Sequence, residues 1–233
     1  MALRGSSEYH QNAMYLRFVL ILTAAAMCYG QNSAAPNPAY RKIEDAPGLP
    51  RVLLIGDSIS IGYTEAVRTE LAGKANVHRI PANGSSTVVG VRNLEAWLGT
   101  AKWDVIHFNF GLHDLKIIEG GQHQAPLADY ESNLRAIVER LKKSGARLIW
   151  ATTTPVPDAK VSPPRASADV LVFNAVAKKI MDESGIPVDD LYALVKPRLD
   201  ELQMPANVHF NKAGYDELAH QVAQSILKAL ESR

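Results

Sequence analysis

Residues Val52 to Ser58 read VLLIGDS, and this stretch decides the fold class. Four apolar residues without polar alternation are typical of a strand that is covered on both faces of a sheet. Gly56 and Asp57 then mark a tight turn, and a helical pattern follows over Ile61 to Leu71. A strand, a turn and a helix in this order indicate the first unit of a parallel α/β sheet.

The same alternation of short apolar runs and longer helical patterns continues along the chain. Further strands are predicted over Val77 to Ile80, Val105 to Phe110, Arg147 to Ala151 and Ile186 to Val188. Further helices are predicted over Thr87 to Leu98, Tyr130 to Leu141, Val170 to Met181, Tyr192 to Leu202 and Tyr215 to Leu230. This order predicts an α/β protein with three layers, α/β/α, around a parallel sheet of about five strands.

The length and the charge balance exclude several classes of protein. A chain of 233 residues suits one α/β domain, with 25 Lys and Arg against 24 Asp and Glu, a net charge of +1. No run of basic residues could follow a phosphate backbone, so we expect no nucleic-acid partner. Composition indicates neither a partner protein nor an oligomeric state.

The first thirty residues resemble an export signal. Residues 18–27 read FVLILTAAAM after Arg17, which is too short for a transmembrane helix. We therefore predict a signal peptide over 1–30, an N-terminal tail over 31–49 and one domain over 50–233, secreted or periplasmic and without stable membrane insertion after cleavage. A lipid anchor on Cys28, the only cysteine, is the alternative, which the bulky Met27 before it disfavours.

Polar clusters follow the predicted strands, at the sheet edge where α/β proteins bind ligands. Ser58 follows the first strand, and its N–H lies at a helix start, where partial positive charge favours an oxyanion. A serine nucleophile needs a base, and His209 before the last helix is the candidate. The alternatives are a helix-capping serine and a half-buried loop histidine. The other clusters are Asn83 to Ser86, Gly111 to Asp114 and Thr152 to Pro155.

From Val52 to about Leu230 the chain resembles the SGNH (GDSL-type) hydrolases, a family of serine esterases with a flavodoxin-like fold. LLIGDSIS resembles the family's first block and places Ser58 as the nucleophile. The resemblance implies that the N–H groups of Ser58 and Gly84 bind the oxyanion, and that His209 is the base.

Two positions depart from the family pattern. His113 in GLHD replaces the asparagine that completes the oxyanion hole, and a neutral imidazole donates there only as the right tautomer. Ala206 replaces the acid three residues before His209. A backbone carbonyl could orient His209 instead, catalysis could be weakened, or a carboxylate from elsewhere could serve, the candidates being Asp200, Glu201, Asp189 and Asp190.

No cofactor or metal is predicted. His107, His113, Asp114 and His123 do not have the spacing of a standard metal site, and His107 lies within an apolar strand. GDSISIG lacks the lysine of a phosphate-binding loop. Trp97 and Trp150 could stack on a sugar, although core packing is the simpler role for both.

The sequence therefore predicts an exported esterase that acts through an acyl-serine on a small acyl group, such as acetyl, of a carbohydrate. Loops over Leu112 to Leu127 and Thr152 to Ala168 would shape the pockets. The alternatives are a catalytically weakened carbohydrate-binding protein on the same fold, and a lipid esterase or thioesterase. The expected partner is a glycan or small-molecule ester.

Overall fold

Five short parallel strands form the central sheet in the computed structural model, which describes residues 37–231. The strands are β1 (Arg51–Ile55), β2 (Asn76–Arg79), β3 (Val105–Phe108), β4 (Arg147–Ala151) and β5 (Val188–Asp189). Their order is β2-β1-β3-β4-β5, with β3 at the centre and β1 beside it. Both of these strands are buried along nearly their whole length, which explains why their sequences show no polar alternation.

Seven helices of the described chain cover the two faces of this sheet. They are α1 (Ser58–Glu70), α2 (Thr87–Leu98), α3 (Leu127–Lys142), α4 (Ser167–Ser184), α5 (Leu191–Val195), α6 (Leu199–Leu202) and α7 (Lys212–Glu231). α1, α5 and α6 pack with α7 in one layer, and α2, α3 and α4 pack together in the other. This arrangement confirms the predicted three-layer α/β/α fold with five parallel strands. Among the residues 37–231, no helix is long and apolar enough to cross a membrane.

The structure differs from the predicted elements at several boundaries. α1 begins at Ser58, three residues early, because the Asp57 carboxylate caps it by accepting the Ile59 N–H at 2.9 Å. The helix predicted over Tyr192 to Leu202 is broken by a 3₁₀ turn at Lys196–Arg198, where Pro197 lacks an N–H. β3 stops two residues early, at Phe108, and β5 is shifted to Val188–Asp189.

The described part of the predicted N-terminal tail is bound to the domain. Its 3₁₀ turn, Pro38–Tyr40, lies on α1, where the Arg68 guanidinium donates to the Pro38 carbonyl at 3.2 Å. The side chain of Asn76 accepts the Ala46 N–H at 2.9 Å and donates to the Ala46 carbonyl at 3.0 Å. Residues 37–49 therefore pack as part of the fold. The predicted targeting segment, 1–30, lies outside the described residues.

A glycine in the first turn of α7 allows the chain before this helix to pack closely. A Cβ on Gly214 would lie 2.4 Å from the Leu202 carbonyl oxygen, a backbone atom that cannot move aside. We expect Gly214→Ala to lower the free energy of unfolding by about 1–3 kcal/mol, despite the better helix propensity of alanine. Urea denaturation would measure this, with the exposed Gln224→Ala of the same helix as control. Equal midpoints for the two variants would contradict the prediction.

Candidate active site

The turn between β1 and α1 presents Ser58 at the carboxyl edge of the sheet. Ser58 is the first residue of α1, and Gly56 before it is needed because a Cβ there would lie 2.7 Å from the Ser60 Cβ. The buried guanidinium of Arg79 supports the turn, donating to the Gly56 carbonyl at 2.8 Å and to the Ser60 hydroxyl at 2.7 Å. The small size of Gly56 and the hydrogen bonds of Arg79 therefore fix the position of the turn that carries Ser58.

His209 reaches Ser58 from the loop between α6 and α7. Its Nε2 lies 2.9 Å from the Ser58 Oγ. The loop is held at its base, because the Met204 N–H donates to the His209 carbonyl at 2.9 Å and Gln203 bridges to Phe210. The predicted nucleophile and the predicted base therefore lie within hydrogen-bond distance of each other.

Asn207 orients the imidazole of His209. Its Oδ1 accepts the backbone N–H of His209 at 3.0 Å and lies 2.8 Å from the ring Nδ1. A backbone N–H can only donate, so the atom that receives it must be the amide oxygen and not the amide nitrogen. Nδ1 therefore carries the ring proton and Nε2 carries the lone pair. This is the tautomer that can accept the Ser58 proton.

The four carboxylates considered as orienting acids lie elsewhere in the described structure. Asp189 is bound to His107 Nε2 at 3.0 Å, and Asp190 caps α5 through the Ala193 N–H at 3.1 Å. Glu201 pairs with Arg198 at 3.0 Å. Asp200 lines a groove beside the His209 loop. The ring nitrogens of His209 contact only Asn207 and Ser58, so neither a relocated acid nor a backbone carbonyl orients it.

Asn207 is not among the residues predicted for the site, because the family pattern led us to expect a carboxylate beside His209. The available signal was local: an asparagine in a turn commonly accepts the backbone N–H two residues later, and here that residue is the histidine.

The Ser58 N–H is available to a substrate, and the Gly84 N–H is not. In residues 37–231 the N–H of Ser58, at the first position of α1, has no acceptor. The N–H of Gly84 donates to the Gly56 carbonyl at 2.9 Å, and a Cβ on Gly84 would lie 2.8 Å from that oxygen. The role of Gly84 is therefore corrected: its small size lets this loop approach the serine turn, and its N–H is used within the protein.

His113 lies beside this site as a neutral imidazole. Its Nδ1 is 2.8 Å from the Lys116 Nζ and 3.0 Å from the Ser85 Oγ. Burial lowers the pKa of His113 to about 4, and the positive charges of Lys116 and Arg165 act in the same direction. Its Nε2 has no hydrogen-bond partner among the described residues.

The other residues that were considered as metal ligands, and rejected on their spacing, lie in the protein interior or pair with acids. His107 and Asp189 form a fully buried pair, and His123 Nε2 lies 2.7 Å from Asp169. Within the described residues, no three His, Cys, Asp or Glu side chains cluster as metal ligands. Trp150 is fully buried against Phe108, and Trp97 is also buried. Neither tryptophan can stack on a bound sugar.

Asp114 holds the His113 loop to the start of α2. Its Oδ1 accepts the Thr87 N–H at 2.9 Å and the Thr87 hydroxyl at 2.5 Å, while its Oδ2 is buried without a partner. Burial raises the pKa of Asp114 to about 6. Asp114 therefore anchors the loop through Thr87 and does not contact the His113 ring.

The raised pKa of Asp114 predicts a pH dependence of stability. Between about pH 4 and pH 6 the native state keeps a proton on Asp114 that the unfolded chain has lost, so the stability contributed by this group falls as the pH rises through this window. Asp114→Asn has no titrating carboxyl at this position, so its stability does not fall in this way. We expect the variant to gain up to about 3 kcal/mol relative to the wild type between pH 4 and pH 7. Denaturant unfolding at both pH values would measure this, and a constant difference would contradict it.

A groove of about 480 Å³ adjoins the loop that carries His209. Polar and charged groups line much of it, including Asp158, Lys196 and Asp200, with Met204 and Ala206 from the His209 loop. Asp158 belongs to the segment predicted as a pocket-forming loop, Thr152 to Ala168. The groove beside the His209 loop therefore presents charged groups next to apolar ones.

One known protein family matches most of this chain. Residues 54–217 match the model of the GDSL-like Lipase/Acylhydrolase family. No curated protein matches the chain.

Similar solved structures include esterases and acylhydrolases. The lipase/acylhydrolase from Enterococcus faecalis has a TM-score of 0.66 at 22% identity, over 76% of this chain and 95% of that one. The acetyl xylan esterase AlAXEase has a TM-score of 0.64 at 16% identity, over 76% and 99%. A catalytic mutant of Axe2, an acetylxylan esterase from Geobacillus stearothermophilus, has a TM-score of 0.64 at 20% identity, over 79% and 96%. At these identities the likeness concerns the fold, whereas the match over residues 54–217 shows that the chain belongs to the GDSL-like lipase/acylhydrolase family.

Proposed function

We propose that this protein is a serine esterase that removes a small acyl group, such as acetyl, from a carbohydrate. The observation that carries the proposal is the continuous hydrogen-bond chain Ser58–His209–Asn207 at the carboxyl edge of the sheet. Next to it lies an N–H at a helix start that has no acceptor in residues 37–231. A nucleophile, an oriented base and an oxyanion donor are the minimal groups for acyl transfer.

The reaction follows from the positions of these groups. Ser58 Oγ attacks the ester carbonyl carbon while His209 Nε2 takes its proton. The negative charge that develops on the carbonyl oxygen is stabilised by the Ser58 N–H and by an N–H of His113. When the intermediate collapses, His209 returns the proton to the leaving alcohol. Water, activated by the same histidine, then hydrolyses the acyl-serine.

Two observations favour a hydrophilic alcohol such as a sugar. The lining of the groove beside the His209 loop includes Asp158, Lys196 and Asp200, whose side chains can bind sugar hydroxyl groups. Two proteins of similar fold, AlAXEase and Axe2, are acetyl xylan esterases. The oriented base also argues against a weakened carbohydrate-binding protein, because Asn207 supplies the acceptor that Ala206 lacks. We further propose export, with residues 1–30 as the signal, which N-terminal sequencing of the mature protein would test.

Hydrolysis of p-nitrophenyl esters from acetate to octanoate tests the proposal. Activity that peaks at acetate, extends to acetylated xylo-oligosaccharides and is lost in Ser58→Ala would support it. A peak at octanoate would favour a lipid esterase or thioesterase. If the wild type hydrolysed none of these esters faster than Ser58→Ala, the proposed esterase activity would be refuted. Binding of acetylated oligosaccharides by calorimetry would then test the carbohydrate-binding alternative.

A further inference from the structure

Lys116 constrains which ring nitrogen of His113 carries the proton. The Lys116 ammonium lies 2.8 Å from Nδ1, and an ammonium has three donors and no acceptor. Nδ1 must therefore accept, which requires its lone pair. The Ser85 hydroxyl, 3.0 Å from the same nitrogen, can donate or accept and so leaves this assignment to Lys116.

A neutral imidazole has one N–H, so the position of the lone pair decides which side of the ring can donate. Burial and the neighbouring cations hold the pKa of His113 at about 4, so the ring is neutral at neutral pH. With the lone pair on Nδ1, the proton is on Nε2. No acceptor for this N–H exists among the described residues. It is a donor without a partner, on a ring that interacts electrostatically with Asp57 and His209 on either side of Ser58.

We propose that Lys116 is a positioning residue that selects the Nε2–H tautomer of His113, and that this N–H is the second donor to the oxyanion. The first half of the proposal concerns the free protein. The second half rests on the proposed esterase function. An asparagine amide always carries N–H donors, whereas the imidazole of His113 needs Lys116 to keep its single proton on Nε2.

The charged groups around His113 act together on its protonation. Asp57 favours the charged ring, whereas Lys116, Arg165 and a protonated His209 disfavour it. Removing the Lys116 charge therefore raises the pKa of His113 and also allows the Nδ1–H tautomer, with Ser85 as acceptor. A carboxylate at position 116 would accept from Nδ1–H and select the wrong tautomer.

The tautomer can be measured without catalysis, by ¹⁵N NMR of the histidine side chains, with His113 assigned by comparison with His113→Ala. The wild type and Lys116→Arg should show a lone pair on Nδ1 and a proton on Nε2. Lys116→Glu should show the reverse at a pH where the ring is neutral. A proton on Nδ1 in the wild type, or an unchanged tautomer in Lys116→Glu, would overturn the proposal.

Kinetics on p-nitrophenyl acetate tests the role in catalysis. We expect Lys116→Glu to lower kcat about 10²–10³-fold, the usual effect of removing one oxyanion donor. Lys116→Arg should stay within about threefold of the wild type, as should Lys179→Glu, a charge reversal on the exposed surface of α4.

A double-mutant cycle separates the tautomer from a direct effect of charge. In a His113→Ala background, Lys116→Glu should cause no further loss, because the group through which it acts is gone. An additional loss of the same size would overturn the proposed route through His113. A wild type with the expected tautomer but no esterase activity would refute the proposed function and the oxyanion role, and leave the tautomer assignment standing.

Discussion

Ser58→Ala should lower kcat for ester hydrolysis by about 10⁴–10⁶-fold, the largest effect that we expect from any single substitution. The substitution removes the only oxygen within hydrogen-bond distance of His209 Nε2 in the described structure, at 2.9 Å. Without it no acyl-enzyme forms, and the remaining rate reflects water attack helped by the oxyanion donors alone. His209→Ala should cause a loss of similar size. The double variant should be no worse than either, because the two groups act as one unit.

Two measurements separate loss of the nucleophile from loss of the fold. The thermal midpoint of Ser58→Ala should match the wild type, because alanine is tolerated in the first turn of α1. A fluorophosphonate probe should add to the wild type and to Ser184→Ala, a serine at the end of α4, but not to Ser58→Ala, as seen by intact mass. Labelling or hydrolysis that persists in Ser58→Ala would identify another nucleophile.

Asn207→Ala should lower kcat about 10²–10³-fold with little change in KM. The Asn207 Oδ1 is the acceptor that keeps the His209 proton on Nδ1, so its loss allows the tautomer that cannot take the Ser58 proton. A neutral amide stabilises the imidazolium less than a carboxylate, so this loss is smaller than the ~10⁴-fold loss in the Ser-His-Asp triad when an asparagine forces the wrong tautomer. In that triad an asparagine forces the wrong tautomer of the histidine, whereas Asn207 keeps the right one here. The reason is that the His209 backbone N–H holds the Asn207 amide oxygen toward the ring.

Asn207→Asp provides the complementary test. Its carboxylate can accept from the same two N–H groups, and its charge stabilises the imidazolium that forms when His209 takes the Ser58 proton. We therefore expect kcat/KM on p-nitrophenyl acetate to rise, by about tenfold if the charge contributes ~1.4 kcal/mol in the transition state. Asn93→Ala, on the exposed surface of α2, is the control.

Wild-type activity in Asn207→Ala would show that another contact orients His209.

Residues from β2 and from the loop after it hold the turn that carries Ser58. The serine lies between a buried strand and a helix start, while Arg79 on β2 and Gly84 after it both contact the Gly56 carbonyl. Gly84 contributes its lack of a side chain and Arg79 contributes its donors. Substitutions at either position should therefore act on activity through the position of Ser58.

The sequence by itself determined the class of fold, and it also predicted Ser58 as the nucleophile and His209 as the base. Apolar runs and helical periodicity are local properties, and the parallel sheet follows from their alternation. Ser58 was found because it directly follows the β1 run, and His209 because it directly precedes the α7 pattern.

Only the tertiary structure decided which groups complete the site. The orienting role of Asn207, the internal use of the Gly84 N–H and the contact of Lys116 with His113 depend on hydrogen-bond directions within folded loops. Such directions are set by which donors and acceptors remain once the chain has packed. A sequence pattern shows which residue types are present. Which acceptor each donor binds depends on donor–acceptor distances of about 3 Å, and these exist only in the folded protein.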